Sequence, residues 1–224
     1  MVSNTVTESF GFFRYSLENR LRYAEIFTLM IRTGIYGGSF NPIHYGHIAL
    51  ARRILEAGDL DEIWFLVSPQ NPLKKHSQLL DDDKRLSLAR QALADEKGLT
   101  ASDYEFRLPR PSYTWNTLQQ LSADYPERTF SLIIGGDNWA CFDRWWHADD
   151  IVRHYPIIIY PREDSPIDET SLPNTVKLVH TPLLNVSSTL IRNLIHEGKS
   201  IHGLVPDQIE AQVVSAYNGM KAQE

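Results

Sequence analysis

A glycine-rich stretch from Gly37 to His47 constrains the fold of this chain more than any other feature. It follows a short apolar run, Arg32 to Tyr36, and precedes an apolar-periodic segment from Ile48 to Ala57. That order predicts a strand, a tight turn and a helix whose N-terminus and backbone N–H groups would face a phosphate. His44 and His47 stand at the start of this helix with a spacing that lets both rings share one face. As imidazolium, they would neutralise charge developing on phosphoryl oxygens.

Strand and helix patterns alternate along the rest of the chain. Apolar runs typical of buried strands occur at 63–67, 130–134, 157–160 and 176–179. Signals typical of helices occur at 86–93, 118–125, 188–196 and 207–217, while Tyr104 and Phe106 alternate with polar residues. This alternation predicts an α/β fold, a Rossmann-like, doubly wound parallel sheet with helices on both faces. Ligands would bind at the carboxyl ends of its strands. The polar stretch 162–173 is predicted to be a surface loop.

A second motif, Val186 to Arg192, places hydroxyl groups at the predicted start of a helix. Ser187 and Ser188 can cap that N-terminus and leave N–H groups free for an anion. Arg192 lies one helical turn after Ser188, so its guanidinium can return toward the same end. Taken alone, the motif also fits an ordinary N-cap with a surface arginine.

Two further segments carry candidate nucleotide-binding groups. Gly135 and Asp137 follow a predicted strand. Glycine admits a ligand closely, and the carboxylate can accept hydrogen bonds from ribose hydroxyls or cap a helix. The segment 138–147 holds Trp145 and Trp146 among other aromatic residues. Such rings are usually part of a core, but they also stack on flat heterocycles.

The composition excludes several classes of protein. A net charge of −6 argues against a surface that coats nucleic acid, so an anionic substrate would need local cations. The single cysteine, Cys141, excludes an internal disulfide and fits a reducing cytoplasm. No apolar run is long enough to span a membrane. We therefore expect a cytoplasmic protein that binds neither nucleic acid nor membranes, and we leave open whether it is a monomer or a small homo-oligomer.

The first 29 residues do not follow the pattern of the rest. Charged residues interrupt their apolar ones, which is unlike a secretory signal. Met30 stands immediately before the first predicted strand. We interpret residues 1–29 as an N-terminal extension that precedes the natural start, and residues 30–224 as one domain. The alternative is an amphipathic helix that packs on the domain or on a neighbour.

The two phosphate-binding motifs resemble the signatures of the nucleotidyltransferase superfamily, which shares its fold with class I aminoacyl-tRNA synthetases. There, an H-x-G-H sequence contacts the triphosphate of a nucleotide, and an I-S-S-T-x-I-R sequence closes over the ATP phosphates. The resemblance implies an ATP site formed by Gly37, Gly38, Ser39, Phe40, Gly135, Asp137, Ser187 and Ser188. It also implies catalytic roles for His44, His47, Arg192 and a basic residue of the loop 68–76, for which we choose Lys75 over Lys74 and His76.

Two other segments are similar to the branch of this superfamily that transfers adenylate to pyridine mononucleotides. Ser112 to Leu118 resembles its S-Y-T-x-[DN]-T-L element, and the tryptophan pair resembles its W-[YWH] element, which stacks on the pyridine ring. Trp145 takes the stacking position. The resemblance implies a mononucleotide site formed by Asn71, Tyr113, Thr114, Trp145 and Trp146. Asp143 stands where that branch usually has proline, so the local turn can differ.

The reaction implied by the resemblance transfers adenylate from ATP to nicotinate mononucleotide and gives deamido-NAD and pyrophosphate, a step of NAD biosynthesis. The nucleophile is then the phosphate oxygen of the mononucleotide, so protein groups position the substrates and stabilise charge. Mg²⁺ would be bound mainly through the ATP phosphates and water, with no side chain as a dedicated metal ligand.

Three alternatives stay open. The acceptor could be nicotinamide mononucleotide. It could instead be phosphopantetheine, or choline or glycerol phosphate with CTP as donor, although enzymes for those acceptors lack the S-Y-T and W-W elements. The chain could also be a non-catalytic nucleotide-binding regulator, which would be expected to lose a signature histidine.

Overall fold

Six strands form one open sheet in the computed structural model, which describes residues 30–69, 79–162, 165–180 and 186–218. The strands are β1 Ile31–Gly38, β2 Glu62–Val67, β3 Leu99–Ser102, β4 Arg128–Gly135, β5 Ile157–Tyr160 and β6 Val176–Leu178. Their order is β3-β2-β1-β4-β5-β6, and every neighbouring pair is parallel. This is the strand order of doubly wound nucleotide-binding folds, so the predicted Rossmann-like architecture is confirmed. β1 and β4 lie side by side at the switch point.

Seven α-helices connect or follow these strands within the described residues. They are α1 Tyr45–Glu56, α2 Asp82–Ala92, α3 Thr114–Asp124, α4 Gly136–Trp139, α5 Ala148–His154, α6 Ser188–His196 and α7 Asp207–Asn218. The predicted helices at 188–196 and 207–217 are confirmed almost residue for residue. The side chain of Asp81 accepts hydrogen bonds from the N–H groups of Asp83 and Lys84, which explains where α2 begins.

Each face of the sheet has its own hydrophobic core. Tyr36 points to the face covered by α1, α2, α6 and α7, whereas the preceding Ile35 points to the face covered by α3 and α5. This alternation follows from the pleat of a strand that is buried on both sides. The C-terminal ends of β1, β4 and β5 form one edge of the sheet. Helices α1 and α4 and the segment after Tyr160 begin at this edge.

The sequence interpretation missed the edge strand β3. Its four residues include only Leu99 and Ala101 as apolar side chains, too few to form a recognisable run. The alternation at Tyr104 and Phe106 belongs instead to a short 3₁₀ helix, Tyr104–Arg107. The stretch 162–173 is mostly exposed where the structure describes it, as predicted for a surface loop. The interpretation of residues 1–29 lies outside the described residues.

No helix in the described part of the chain is both long and apolar enough to cross a membrane.

Candidate active site

The glycine-rich stretch forms a tight turn at the carboxyl end of β1. Gly37 and Gly38 end the strand, and Phe40 adopts a left-handed backbone with φ of 42°. The ring of Phe40 is buried and packs edge-on against His47, with ring centroids 5.1 Å apart. The backbone of this turn, rather than its side chains, therefore borders the open edge of the sheet. α1 begins three residues after Pro42, at Tyr45.

The two histidines form a stacked pair at the start of α1. Their ring centroids lie 3.6 Å apart with an interplanar angle of 25°. The backbone N–H of His44 donates to Nδ1 of His47 at 3.2 Å. Because Nδ1 accepts, the neutral His47 ring carries its proton on Nε2, where it can be donated to a ligand. His44 is only 5% exposed, yet its Nδ1 has no hydrogen-bond partner among the described residues.

Gly46 is required between the two histidines. A Cβ at this position would lie 2.8 Å from Cγ1 of Val186 and 3.0 Å from the ring of His44. The glycine therefore allows the start of α1 to approach the segment that leads into α6.

The buried, unpaired ring nitrogen of His44 costs free energy, and a polar ligand at this point would relieve that cost.

The charge state of the pair differs from the one expected from the motif. Burial lowers the pKa of His44 to about 3, and the positive charge of Arg162 contributes. Burial, His44 and Arg162 together hold the pKa of His47 well below its ordinary value. Both rings are therefore neutral at pH 7 before a ligand binds, and they act as hydrogen-bond donors rather than as fixed cations. A bound polyanion would raise both pKa values.

The buried histidines predict a loss of stability in acid. The unfolded chain takes up protons below the ordinary histidine pKa of 6.5, whereas folded His44 does so only near 3. The neutral His44 ring therefore makes its full contribution to the free energy of unfolding above pH 6.5. That contribution is lost as the pH falls below 6.5. Between about pH 7.5 and about pH 5, His44 alone should cost on the order of 2 kcal/mol of unfolding free energy. Urea unfolding of the parent and of His44→Asn at both pH values measures this. Equal losses in the two proteins would contradict the assignment.

The N-terminus of α6 is fastened to the same turn. The hydroxyl of Ser188 donates to the carbonyl of Pro42 at 2.9 Å, and Nη1 of Arg192 donates to the carbonyl of Asn41 at 2.7 Å. Ser187 caps α6, its hydroxyl accepting from the N–H of Leu190 at 3.1 Å. The structure thus brings the second motif against the first. It also gives these side chains partners in the protein, and Nε of Arg192 is buried without one among the described residues.

The carboxyl ends of β4 and β5 add a cation that the sequence interpretation missed. Nη2 of Arg162 donates to the hydroxyl of Tyr160 at 3.1 Å, and its Nε lies 3.7 Å from a carboxylate oxygen of Asp137. Arg162 is 47% exposed. A Cβ at Gly135 would lie 2.3 Å from that carboxylate, so a larger residue there would displace the Asp137 side chain. The sequence signal that could have identified Arg162 is its position two residues after a buried strand, in a segment that we interpreted only as a surface loop.

A cleft of about 350 Å³ lies between α1 and the segment that follows β5. Its lining includes His44, His47, Tyr160 and Arg162, and it continues along α1 as far as Glu56. The end at the histidines lies at the carboxyl edge of the sheet beside the switch point, where doubly wound folds bind their ligands. The cleft has the size of a site for a nucleotide-like small molecule.

The aromatic residues predicted to bind the mononucleotide fall into two settings. Tyr113 and Trp146 are 39% and 48% exposed, and their ring centroids lie 5.1 Å apart. Trp145 is half-buried against Phe142, with centroids 5.1 Å apart, and its indole nitrogen is buried without a described partner. Thr114 is the first residue of α3. The structure therefore presents Tyr113 and Trp146 to solvent and places Trp145 behind them, in the second core.

Several predicted residues lie outside the described part of the chain. These are Asn71, Lys75 and the two alternatives for the basic role, Lys74 and His76. Two arginines that precede α3 are described: Arg107 covers the ring of Tyr104 at 4.8 Å, and Arg110 lies 3.3 Å from the carboxylate of Asp82. Both are engaged within the protein.

Among the described residues, the acidic and histidine side chains at this edge form no cluster that could hold a metal ion. The group of possible ligands that the structure brings together is His202, Asp207 and Glu210, at the exposed start of α7. Asp137 is paired with Arg162 instead. A Mg²⁺ ion that is carried by substrate phosphates and water would need no carboxylate cluster at this edge.

The parallel sheet and the contact between the starts of α1 and α6 are typical of a class of nucleotide-binding transferases, and sequence comparison agrees. The Cytidylyltransferase-like family model matches residues 35–194, more than half of the chain. A probable nicotinate-nucleotide adenylyltransferase of Bacteroides thetaiotaomicron is 52% identical over 171 residues, which are 76% of this chain and 85% of that protein. One of Cytophaga hutchinsonii is 44% identical over 185 residues, 83% and 96% of the two chains.

The chain belongs to the nicotinate-nucleotide adenylyltransferase family, as the resemblance of its motifs implied. Solved structures agree in fold. Plasmodium falciparum nicotinic acid mononucleotide adenylyltransferase complexed with NaAD superposes with a TM-score of 0.69 at 21% identity, covering 85% of this chain and 97% of that one. The same enzyme complexed with APC gives a TM-score of 0.68 at 20% identity and the same coverage.

Proposed function

We propose that this protein transfers adenylate from ATP to nicotinate mononucleotide, releasing pyrophosphate and forming deamido-NAD. The observation that carries the proposal is the stacked histidine pair. It lies at the N-terminus of α1, beside the N-terminus of α6, and His44 keeps a buried ring nitrogen without a described partner. The two imidazole rings at the start of α1 line one cleft, which Val186, just before α6, also borders. Family membership at 52% identity supports the same reaction.

On the ATP side, His47 donates its Nε2 proton to a phosphate oxygen, and His44 lies stacked against it. Arg162 supplies the positive charge that faces the pair from the end of β5. The backbone at Gly37, Gly38, Ser39 and Phe40 borders the phosphates, and Asp137 accepts a hydrogen bond from a ribose hydroxyl. Arg192, Ser187 and Ser188 hold the side from which pyrophosphate leaves. Lys75 is the proposed basic residue of the neighbouring loop.

On the acceptor side, the first turn of α3 favours an acid over an amide. Tyr113 stands at the N-cap without a side-chain capping bond, and the first turn contains no acidic residue. No side-chain cap therefore occupies the N–H groups that begin at Thr114, and these groups are left for water or a ligand. A carboxylate accepts from such groups and gains from the helix dipole, whereas an amide brings a donor that repels them.

The chemistry needs no protein nucleophile. The phosphate oxygen of the mononucleotide attacks the α-phosphorus of ATP, and the bond to the bridging oxygen of pyrophosphate breaks. Bound Mg²⁺ would neutralise charge on the phosphate oxygens. The side chains align the two phosphates and donate hydrogen bonds as charge moves toward the leaving pyrophosphate.

The experiment is a pyrophosphate-release assay with ATP and each candidate acceptor in turn, with product identified by mass. We expect turnover with nicotinate mononucleotide and a kcat/KM at least about tenfold lower with nicotinamide mononucleotide. Phosphopantetheine with ATP, and choline phosphate with CTP, should give none. A ratio near one would refute the acid preference. ATP binding without pyrophosphate release from any acceptor would identify a regulator instead.

The exposed ring of Trp146 is expected to contact the mononucleotide. Trp146→Ala should raise the KM for nicotinate mononucleotide about tenfold through lost stacking, while the KM for ATP changes little. Trp145→Ala is the matched comparison. Because it removes half-buried core, it should lower the melting temperature by several degrees, which Trp146→Ala should not. If instead the mononucleotide KM responds to Trp145 and not to Trp146, Trp145 is the stacking ring, as the resemblance implied.

A further inference from the structure

A completely buried arginine lies behind the phosphate-binding turn. Arg85 of α2 has no exposed surface. Its Nη1 donates to the carbonyl of Ser39 at 2.5 Å and to that of Ser68 at 3.1 Å, and its Nε donates to the carbonyl of Leu80 at 2.8 Å. Ser39 directly follows β1, and Ser68 directly follows β2. One guanidinium therefore joins the carboxyl ends of two neighbouring strands.

The bond to Ser39 fixes the orientation of the next N–H group. The carbonyl of Ser39 and the N–H of Phe40 belong to one planar trans peptide unit, so they point in opposite directions. With the carbonyl held by Arg85, the N–H of Phe40 points away from the buried side. Phe40 has the left-handed φ of 42°, a conformation that costs a residue with a side chain about 1 kcal/mol or more and needs support from its surroundings.

Two neighbouring carbonyls of this turn also accept hydrogen bonds from side chains. Arg192 donates to the carbonyl of Asn41 at 2.7 Å, and Ser188 donates to the carbonyl of Pro42 at 2.9 Å. These carbonyl oxygens, which would repel phosphate, are thereby occupied by donors of the protein. Two of the three donors, Arg85 and Arg192, are cationic, so positive charge lies against the carbonyls of this turn.

A buried cation is an expensive way to satisfy a carbonyl, because it must be removed from water. The carboxylate that offsets it, Asp82, is 26% exposed and is shared with Arg110. If these carbonyls only needed a hydrogen-bond donor for the fold, a neutral side chain would be enough. The charge of Arg85 is explained if a polyanion binds on the other side of the peptide.

We propose that Arg85 is a positioning residue for the triphosphate: it holds the Ser39–Phe40 peptide with its N–H toward the nucleotide and places fixed positive charge behind it. The inference rests on the proposed function, since it takes the nucleotide to be ATP. Arg85 does not touch the substrate. It acts through the backbone of the turn, and so its effect should be on ATP and not on the mononucleotide.

The test compares dissociation constants for MgATP and for nicotinate mononucleotide, measured by calorimetry, across four full-length variants. Arg85→Met removes charge and hydrogen bonds, Arg85→Gln keeps a neutral donor, and Arg85→Lys keeps the charge. The matched control is Arg90→Met, on the same helix, where the side chain is 54% exposed and pairs with Asp103. Circular dichroism and melting temperature establish that each variant is folded.

We expect Arg85→Met and Arg85→Gln to weaken MgATP binding at least about tenfold, Arg85→Lys to recover part of the loss, and Arg90→Met to match the parent. Mononucleotide binding should change less than about twofold throughout. If Arg85→Met does not fold, Arg85→Gln against Arg85→Lys decides. Unchanged MgATP affinity in the folded variants, or equal losses for both ligands, would overturn the proposal. A parent protein that binds no MgATP would refute the proposed function itself.

Discussion

Replacing His47 by alanine is expected to lower kcat by at least about a hundredfold, the scale for losing one hydrogen-bond donor to developing charge. His47 lines the cleft, and its Nδ1 is occupied by the backbone N–H of His44 at 3.2 Å, which leaves the Nε2 proton for the phosphate. Because the ring is neutral before ATP binds, its contribution should be larger in the transition state than in the ground state. The KM for ATP should therefore change less than kcat.

The matched control is His154→Ala, which removes an exposed imidazole from α5, where Nδ1 contacts the carbonyl of Asp150 at 2.8 Å. It should retain the kcat of the parent. Steady-state assays with saturating nicotinate mononucleotide measure both variants. A folded His47→Ala enzyme with kcat within about threefold of the parent would show that the histidine pair is structural.

The strands that fill the middle of the sheet could be predicted because each is buried on both sides. Ile63 to Val67 is a continuous apolar run, Phe130 to Ile134 is apolar except for Ser131, and runs of this length favour a buried strand over a helix. β3 lies at the edge of the sheet, where alternate residues face solvent, so Leu99 and Ala101 gave no comparable signal. The prediction of β3 therefore failed because the strand is only partly buried, and not because it is short.

The candidate site could be predicted where its residues belong to one continuous backbone segment. It could not be predicted where the fold brings separate segments together. Gly37 to His47 is continuous, so its turn and helix start could be predicted from the sequence alone. Arg162 reaches the histidines only because β5 lies two strands from β1 in the finished sheet. Arg85 resembles any arginine of an amphipathic helix until the structure shows that it is buried. Neither position has a local pattern that distinguishes it.

The charge of the pair could not be predicted either. Imidazole pKa values depend on desolvation, and His44 is 5% exposed in the folded protein. A sequence motif fixes which groups are present, whereas packing fixes whether they carry charge. This is why the motif suggested cations and the structure shows neutral donors beside an arginine.

Arg162→Met is expected to lower kcat/KM for ATP by at least about a hundredfold, since in the proposed site it removes a charge that faces the triphosphate. The hydroxyl of Tyr160 and the carboxylate of Asp137 hold the guanidinium in place, at 3.1 and 3.7 Å. Its field already reaches the pair, because it depresses the pKa values of both His44 and His47. A triphosphate on the same rings would feel that field as attraction.

Two measurements separate this role from simple packing. Arg162→Lys, which keeps the charge without the planar fork, should recover part of the lost kcat/KM, and Arg153→Met, which removes an arginine that is 67% exposed on α5, should have no effect. Nuclear magnetic resonance titration of the ligand-free Arg162→Met protein should also show the pKa values of His44 and His47 moving upward, because a repelling cation has gone. Unchanged ATP kinetics together with unchanged histidine pKa values would place Arg162 outside the site, and its ion pair with Asp137 would then serve only to fasten the ends of β4 and β5.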